Sequence, residues 1–278
     1  MKLPNLIVGG APKCGKSSLY FWLAKHPEVF ASKTKETFFF SDKKNRFNKY
    51  CNCIDHSIND YSKFFQKAKN EKIRFEATAA YLYSKNALSN FLKFKHSPKI
   101  IFILREPSAQ IYSHYKMEKY RTKKTNLNFE EYVKLKKIDN YVQYAKHLKR
   151  WLSKYPNHLI KVLIFEDFIK HKQERMMEIS KFLKIQEDFY NDFDFQHRNE
   201  SVAIRWSFFH HISLAIQPII PHKIQELLLP LYMKINSRGK IKEKEEDRFL
   251  LEKLKLKYLP IRKDILKLYP ELPLAYWE

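Results

Sequence analysis

Glycine is scarce in this sequence, and where it does occur is informative. The 278 residues hold only 4 glycines, where average usage of about 7% would supply roughly 19. Three of them, Gly9, Gly10 and Gly15, fall within one short stretch near the N-terminus. A chain that avoids glycine elsewhere needs backbone freedom there. Cysteine is scarce too. Cys14, Cys51 and Cys53 are too few for a disulfide framework, so a reducing compartment is expected. Cys51, Cys53 and His56 have the spacing of metal ligands, but no second ligand cluster follows, and two ordinary thiols with a surface histidine are the expectation. No run approaches the roughly 18 apolar residues that span a membrane. Met1–Asn5 lead straight into a strand pattern, leaving no room for a signal peptide. The expected protein is soluble and cytoplasmic.

Acidic residues are the third shortage. Lys and Arg number 53 against 30 Asp and Glu, a formal net charge of +23. Anionic partners are therefore expected: a nucleotide, nucleic acid, an acidic glycan or an anionic lipid surface. The charge alone does not choose among them. At 44% hydrophobic and 15% aromatic residues the chain is globular, not disordered.

Patterning indicates an α/β protein. Leu6-Ile7-Val8 is a short apolar run entering the glycine stretch. Ser17–Lys25 then carries Leu19, Tyr20, Trp22 and Leu23 at helical spacing, stopped before Pro27. Further strands are expected at Arg74–Glu76, Ile100–Leu104 and Lys161–Phe165, each followed by a helical pattern. Near-continuous apolar strands alternating with helices predict a parallel sheet covered on both faces. From about Ala203 the pattern is helical only, at 206–216, 223–233 and 247–269. One domain is expected over 1–278, an α/β core to about residue 200 and a helical C-terminal extension from 201 to 278.

Gly10-Ala-Pro-Lys-Cys-Gly15-Lys16-Ser17 satisfies the phosphate-loop pattern letter for letter and sits between strand and helix, as that motif requires. Amides turned inward at a helix N-terminus, reinforced by the helix dipole, attract phosphate. Two readings are open at this point. In a Mg·ATP-dependent kinase, Lys16 would reach the β- and γ-phosphates and Ser17 would hold Mg²⁺. The strand ending at Leu104 is followed by Arg105, wrong for a cation, whereas Glu166-Asp167 after the next strand would serve.

The second reading comes from likeness. The segment Leu6–Phe40, with G-A-P-K-C-G-K-S-S-L, H-P-E-V at 26–29 and K-E-T-F-F-F-S-D at 35–42, resembles the sulfotransferases that use 3′-phosphoadenylyl sulfate (PAPS), the bacterial and heparan-type carbohydrate branch above all. K-I-I-F-I-L-R-E-P-S-A-Q-I-Y-S-H-Y at 99–115 looks like that family's 3′-phosphate segment. V-L-I-F-E-D-F at 162–168 and the blocks E-D-R-F-L-L-E-K-L and Y-L-P-I-R-K-D-I-L-K-L are similar to its later ones. The resemblance implies a phosphate-loop-type three-layer fold, a central parallel sheet flanked by helices. It implies sulfuryl transfer from PAPS to a hydroxyl on a carbohydrate or glycolipid, with no metal.

The residues offer what two separated phosphates need. Lys13, Cys14, Gly15, Lys16, Ser17 and Ser18 are expected around the 5′-phosphosulfate, and Arg105 with Ser113 around the 3′-phosphate. His114 is expected to face away from Ser113. The resemblance makes Glu36 the general base, set among Phe38, Phe39 and Phe40 so that it takes a proton near neutrality. It makes Lys13 the group that stabilises the bridging oxygen. Glu76 and Tyr81 are expected in the acceptor cleft, and Arg205 as a nucleotide contact. The sequence departs from the family at Lys16, where relatives usually have Thr, and at Ala77, where heparan-type relatives have Lys. A third reading, a polyanion or nucleic-acid binder, rests on charge and clusters such as Lys119–Lys124, with no nucleic-acid-reading motif.

Overall fold

The structure is a computed structural model that describes residues 1–45, 47–196, 202–204, 206, 228, 232, 235–240 and 244–278. In chain order the elements are β1 (Leu6–Gly10), α1 (Lys16–Leu23), β2 (Val29–Ala31), α2 (Ile58–Ser62), β3 (Ile73–Glu76), α3 (Lys85–Phe91) and β4 (Lys99–Leu104). There follow α4 (Pro107–Lys116), α5 (Phe129–Val133), α6 (Lys136–Val142), α7 (Tyr144–Leu152), β5 (Ile160–Ile164), α8 (Phe165–Lys170) and α9 (Lys172–Leu183). Toward the C-terminus lie β6 (Val202–Ile204), β7 (Ser237–Lys240) and α10 (Glu245–Leu266).

The first five strands form one parallel sheet in the order β2-β3-β1-β4-β5. Every residue of β1 is buried, as is all of β4 but Lys99. Successive strand side chains point to opposite faces, so a strand buried throughout must be covered on both. Helices supply that cover, as the apolar runs predicted. The three-residue β2 is too short to show a periodicity and was not anticipated.

Strand direction places the chemistry. β1 runs into the glycine loop, β3 ends at Glu76, β4 delivers Arg105 and β5 delivers Glu166. All four sit at the carboxyl edge, the ligand-binding edge of an open parallel sheet. Pro107 at the start of α4 and the Glu106 carboxylate, which accepts from the amides of Ser108 and Ala109 at 2.9 and 2.7 Å, set the sharp strand-to-helix turn after Arg105.

The C-terminal part differs from the helix-only expectation. β6 and β7 pair antiparallel, Val202 opposite Lys240 and Ile204 opposite Ser237. Three and four residues, one strand containing a glycine, give too little alternation to read from sequence. The helical pattern at 247–269 corresponds to α10, while those at 206–216 and 223–233 lie largely outside the described residues. α10 packs Leu254 and Tyr258 against a cluster with Ile111, Tyr112, Phe129 and Tyr132. Asp247 accepts a hydrogen bond from Tyr112 at 3.0 Å. Among the described residues no helix is long and apolar enough to cross a membrane.

Candidate active site

The loop between β1 and α1 is built to hold its amides in one arrangement. Gly15 has φ +77°, and a Cβ there would lie 2.7 Å from the Phe165 ring. Backbone conformation and space both demand glycine. The carbonyl oxygens of the loop are taken by protein donors: Lys16 Nζ on Ala11 at 2.7 Å, Gln110 Nε2 on Pro12 at 3.1 Å, and Arg105 Nη1 on Lys13 at 3.2 Å. Their negative ends are thereby neutralised at the cavity edge. Gly15→Ala is expected to lower both the melting temperature and phosphate-ligand affinity. A variant that melts and binds like the wild type would show that the loop tolerates the bulk.

The loop opens on a cavity of about 1310 Å³. Of the residues singled out in the sequence, Lys13, Cys14, Gly15, Lys16, Ser17, Ser18, Glu36, Arg105 and Ser113 all line it. Lys35, Phe38, His114 and Arg121 join them. Burial depresses Lys13 to about 8, helped by the charges of Arg121, Lys16 and Arg105. Burial likewise lowers Lys16, against the pull of Glu36, and lowers Lys35, whose ammonium donates to Ser17 Oγ at 2.7 Å. Several cations thus face one space, and losing a proton partly relieves their repulsion. A bound polyanion would relieve it more completely.

Arg105 stacks over Phe165 at 4.6 Å, and its Nε is buried without a hydrogen bond, 4.0 Å from Glu166 Oε1. Arg105 and Ser113 line the same cavity, a guanidinium and a hydroxyl that can both donate to a bound anion. Cys14 is inert: burial pushes its thiol up to about 12.

Glu36 faces the cavity in different surroundings from those expected. Phe39 and Phe40 are buried in the core against Tyr61 and Phe91, and only Phe38 turns to the cavity, with φ +52°. The charged neighbours of Glu36 are Lys16 and Lys35, and its Oε1 accepts from the Ala79 amide at 3.3 Å. Thr37, Phe39 and Phe40 are all buried in the core, so the aromatic surround does not form.

Glu76 and Tyr81 are not in the cleft. Both are fully buried and absent from the cavity wall. Glu76 Oε1 accepts from Tyr61 at 2.7 Å, Thr37 Oγ1 at 2.8 Å and Tyr81 at 2.9 Å; Oε2 accepts from the Thr37 amide at 3.3 Å and from Thr78. Burial pushes the carboxyl up, and these donors pull it back only in part. Donors from α2 and from the segment after Lys35 converge on the end of β3, so the carboxylate ties Thr37, the neighbour of Glu36, to the sheet. Arg205 lies outside the described residues.

Three features escaped the sequence. Lys35, the neighbour of Glu36, is not among the residues expected around the donor. Arg121 stands eight residues after Ser113, two turns along, which was a usable signal. His114 lines the cavity together with Ser113 instead of turning away. Its Nδ1 contacts Tyr132 Oη at 2.7 Å, Tyr132 donates to Glu118 at 3.0 Å, and burial lowers the imidazole to about 4. Cys51, Cys53 and His56 form no metal-binding cluster among the described residues, and His56 Nδ1 accepts the Asn52 amide at 3.4 Å.

Strand order, loop and helix define the α/β phosphate-loop fold, its cation-lined cavity at the carboxyl edge of the sheet. Within that class the chain belongs to the sulfotransferase family, whose domain profile matches residues 3–209. It is 27% identical over 201 residues to the human bifunctional heparan sulfate N-deacetylase/N-sulfotransferase 3, covering 66% of this chain and 22% of that one. It is 26% identical over 197 residues to the human heparan sulfate glucosamine 3-O-sulfotransferase 5, covering 66% and 54%. The matches thus span well under two thirds of those longer proteins. A sulfotransferase from Alicyclobacillus acidocaldarius has the same fold, with TM-score 0.69 at 20% identity, covering 100% of this chain and 99% of that one.

Proposed function

We propose that this protein moves the sulfuryl group of PAPS to a hydroxyl on a carbohydrate or glycolipid, releasing adenosine 3′,5′-bisphosphate. The observation that carries the reading is one cavity lined both by the lysines of the glycine loop and by Arg105 and Ser113 from the β4–α4 turn. The residues present fit such a donor, since several cations with lowered lysines share one cavity with the loop amides, Arg105 and Ser113. The donor supplies an activated sulfur and a leaving group that departs as a stable anion.

The chain's own groups do the rest. Lys13, Lys16 and the amides up to Ser18 hold the 5′ end, and Arg105 and Ser113 the 3′-phosphate. Glu36 takes the hydroxyl proton as the acceptor oxygen bonds to sulfur and the bond from sulfur to the bridging oxygen breaks in line. Lys13 neutralises charge building on that bridging oxygen. No metal is invoked. We read residues 1–278 as one domain carrying out this reaction. The kinase reading needs Glu166 or Asp167 for its cation, and both are engaged. Asp167 Oδ2 pairs with Arg175 Nε at 2.6 Å, and Glu166 accepts from the Glu106 amide at 3.1 Å and from Trp277 Nε1 at 3.0 Å.

Calorimetric titration decides the donor. Adenosine 3′,5′-bisphosphate in EDTA is expected to bind at micromolar strength and to lose about 10- to 100-fold in Arg105→Ala, the worth of a charge-assisted contact. Tight Mg·ATP binding indifferent to Arg105 would overturn the reading in favour of a kinase. Salt-sensitive duplex binding without either nucleotide would favour the polyanion binder.

A further inference from the structure

The described residues of 43–56, all but 46, invert the usual arrangement of a surface loop. Two of its three asparagines are inside: Asn48 and Asn52 are buried, Asn48 Nδ2 donating to the Phe38 carbonyl at 2.9 Å and Asn52 Nδ2 to the Asn48 carbonyl at 3.0 Å. Asn52 Oδ1 accepts the amides of Ile54 and Asp55 at 3.0 Å each, and the Cys53 amide donates to the Phe39 carbonyl at 2.8 Å. The large apolar side chains are outside. Phe47, Tyr50 and Ile54 are 58%, 74% and 51% exposed. The hydrogen bonds fix the backbone, so these side chains are held out by a built scaffold.

The loop is also basic. Its sequence supplies Lys43, Lys44, Arg46 and Lys49. Within the loop Asp55 and Lys44 pair at 2.7 Å, which leaves Lys43 and Lys49 unopposed by it, and Asp42 just before the loop accepts the amides of Asn86 and Lys85 at 2.8 and 3.1 Å. The Lys49 ammonium sits 4.4 Å over the Tyr50 ring. Finally, the loop forms part of the cavity rim. Phe47 lines the cavity and stacks on Phe38, ring centroids 5.0 Å apart.

We propose that residues 43–56 dock this protein on an anionic lipid bilayer, with Tyr50 and Ile54 entering the interface and the lysines meeting lipid headgroups. Apolar tips flanked by cations are the composition of an interfacial anchor. A glycan would use the cations and the aromatic rings but has no use for Ile54. The docked cavity mouth faces the headgroup layer, where a glycolipid hydroxyl would be presented. That last consequence rests on the sulfotransferase reading, while lipid binding stands apart from it.

Co-sedimentation with vesicles tests the proposal, using phosphatidylglycerol mixed with phosphatidylcholine against phosphatidylcholine alone. The variants are Tyr50→Ser/Ile54→Ser and Lys43→Glu/Lys49→Glu, with thermal unfolding as the check that each is folded. The wild type is expected to bind the anionic vesicles and to keep part of that binding at high salt, since apolar insertion is not screened. The serine variant is expected to lose at least about tenfold in partitioning, and the charge-reversal variant a similar factor at low salt. Vesicle binding that salt abolishes and that ignores Tyr50 and Ile54 would overturn the proposal, leaving net charge as the whole effect. So would binding to heparin-like chains without vesicle binding, or self-association lost in the serine variant. Bisphosphate affinity, measured on the same variants, is expected to stay unchanged, so failure here leaves the donor assignment standing.

Discussion

Glu76→Ala is expected to cost about 4 kcal/mol of stability, because several buried donors lose the carboxylate on which they converge. That corresponds to a fall of about 10 °C in Tm for a chain of this size. The hydroxyls of Tyr61, Tyr81, Thr37 and Thr78 and the Thr37 amide all converge on this fully buried carboxylate. Glu76→Gln separates loss of acceptor from loss of charge. An amide oxygen in the Oε1 position keeps the bonds from Tyr61, Tyr81 and Thr37 Oγ1, and the amide nitrogen can donate to Thr78. Only the Thr37 amide then meets a donor. Because burial already pushes the Glu76 carboxyl up, a neutral replacement is expected to cost no more than about 1–2 kcal/mol. Turnover in Glu76→Ala is expected to fall beyond what unfolding explains, since Thr37 anchors the strand of chain that carries Glu36. Equal melting of the alanine and glutamine variants would refute this account of the network.

Lys13→Ala is expected to lower turnover by about two to three powers of ten, the usual worth of a group that stabilises developing charge. Its pH signature is more telling. The ammonium is depressed to about 8 in the free protein, by burial first and by Arg121, Lys16 and Arg105 after it. A bound bisphosphate favours the charged form and so raises that value. Affinity is therefore full below pH 8 and declines as pH rises through it, by up to about tenfold per unit until the bound-state value is reached. The ligand's phosphates are fully ionised above about pH 7 and cannot cause that fall. Arginine stays charged throughout, so Lys13→Arg is expected to bind with a flat profile. A decline that persists in Lys13→Arg and vanishes in Lys16→Arg would assign the titration to Lys16, which burial also lowers.

The cavity-lining residues of the loop and of the β4–α4 turn were legible because their signals are local. Gly10, Gly15, Lys16 and Ser17 act within one strand–turn–helix, and the turn cannot form without the left-handed residue at Gly15. Arg105 and Ser113 sit at the end of β4 and two turns into α4, a separation that helix geometry converts directly into position. Glu76 and Tyr81 were misplaced for the opposite reason. Whether a carboxylate at a strand end faces a cleft or the core depends on what packs over it, and here α2 brings Tyr61 and the 35–38 segment brings Thr37. The aromatic run after Glu36 misled similarly: Phe39 and Phe40 belong to the core, and charged neighbours, not rings, face the carboxylate.

The sequence by itself determined the parallel sheet, the glycine loop after β1 and the family. Apolar period, glycine placement and strand-end residues are properties of neighbours along the chain, and neighbours are what a sequence records. Only the tertiary structure decided which charges share one cavity. Lys13, Lys16, Lys35, Arg105 and Arg121 come from four separate segments and reach the same space because parallel strands end on one edge. It also decided that Glu76 braces the fold and that Phe47, Tyr50 and Ile54 stand outside it. Burial is set by what lies across the gap, and no spacing along the chain encodes that distance.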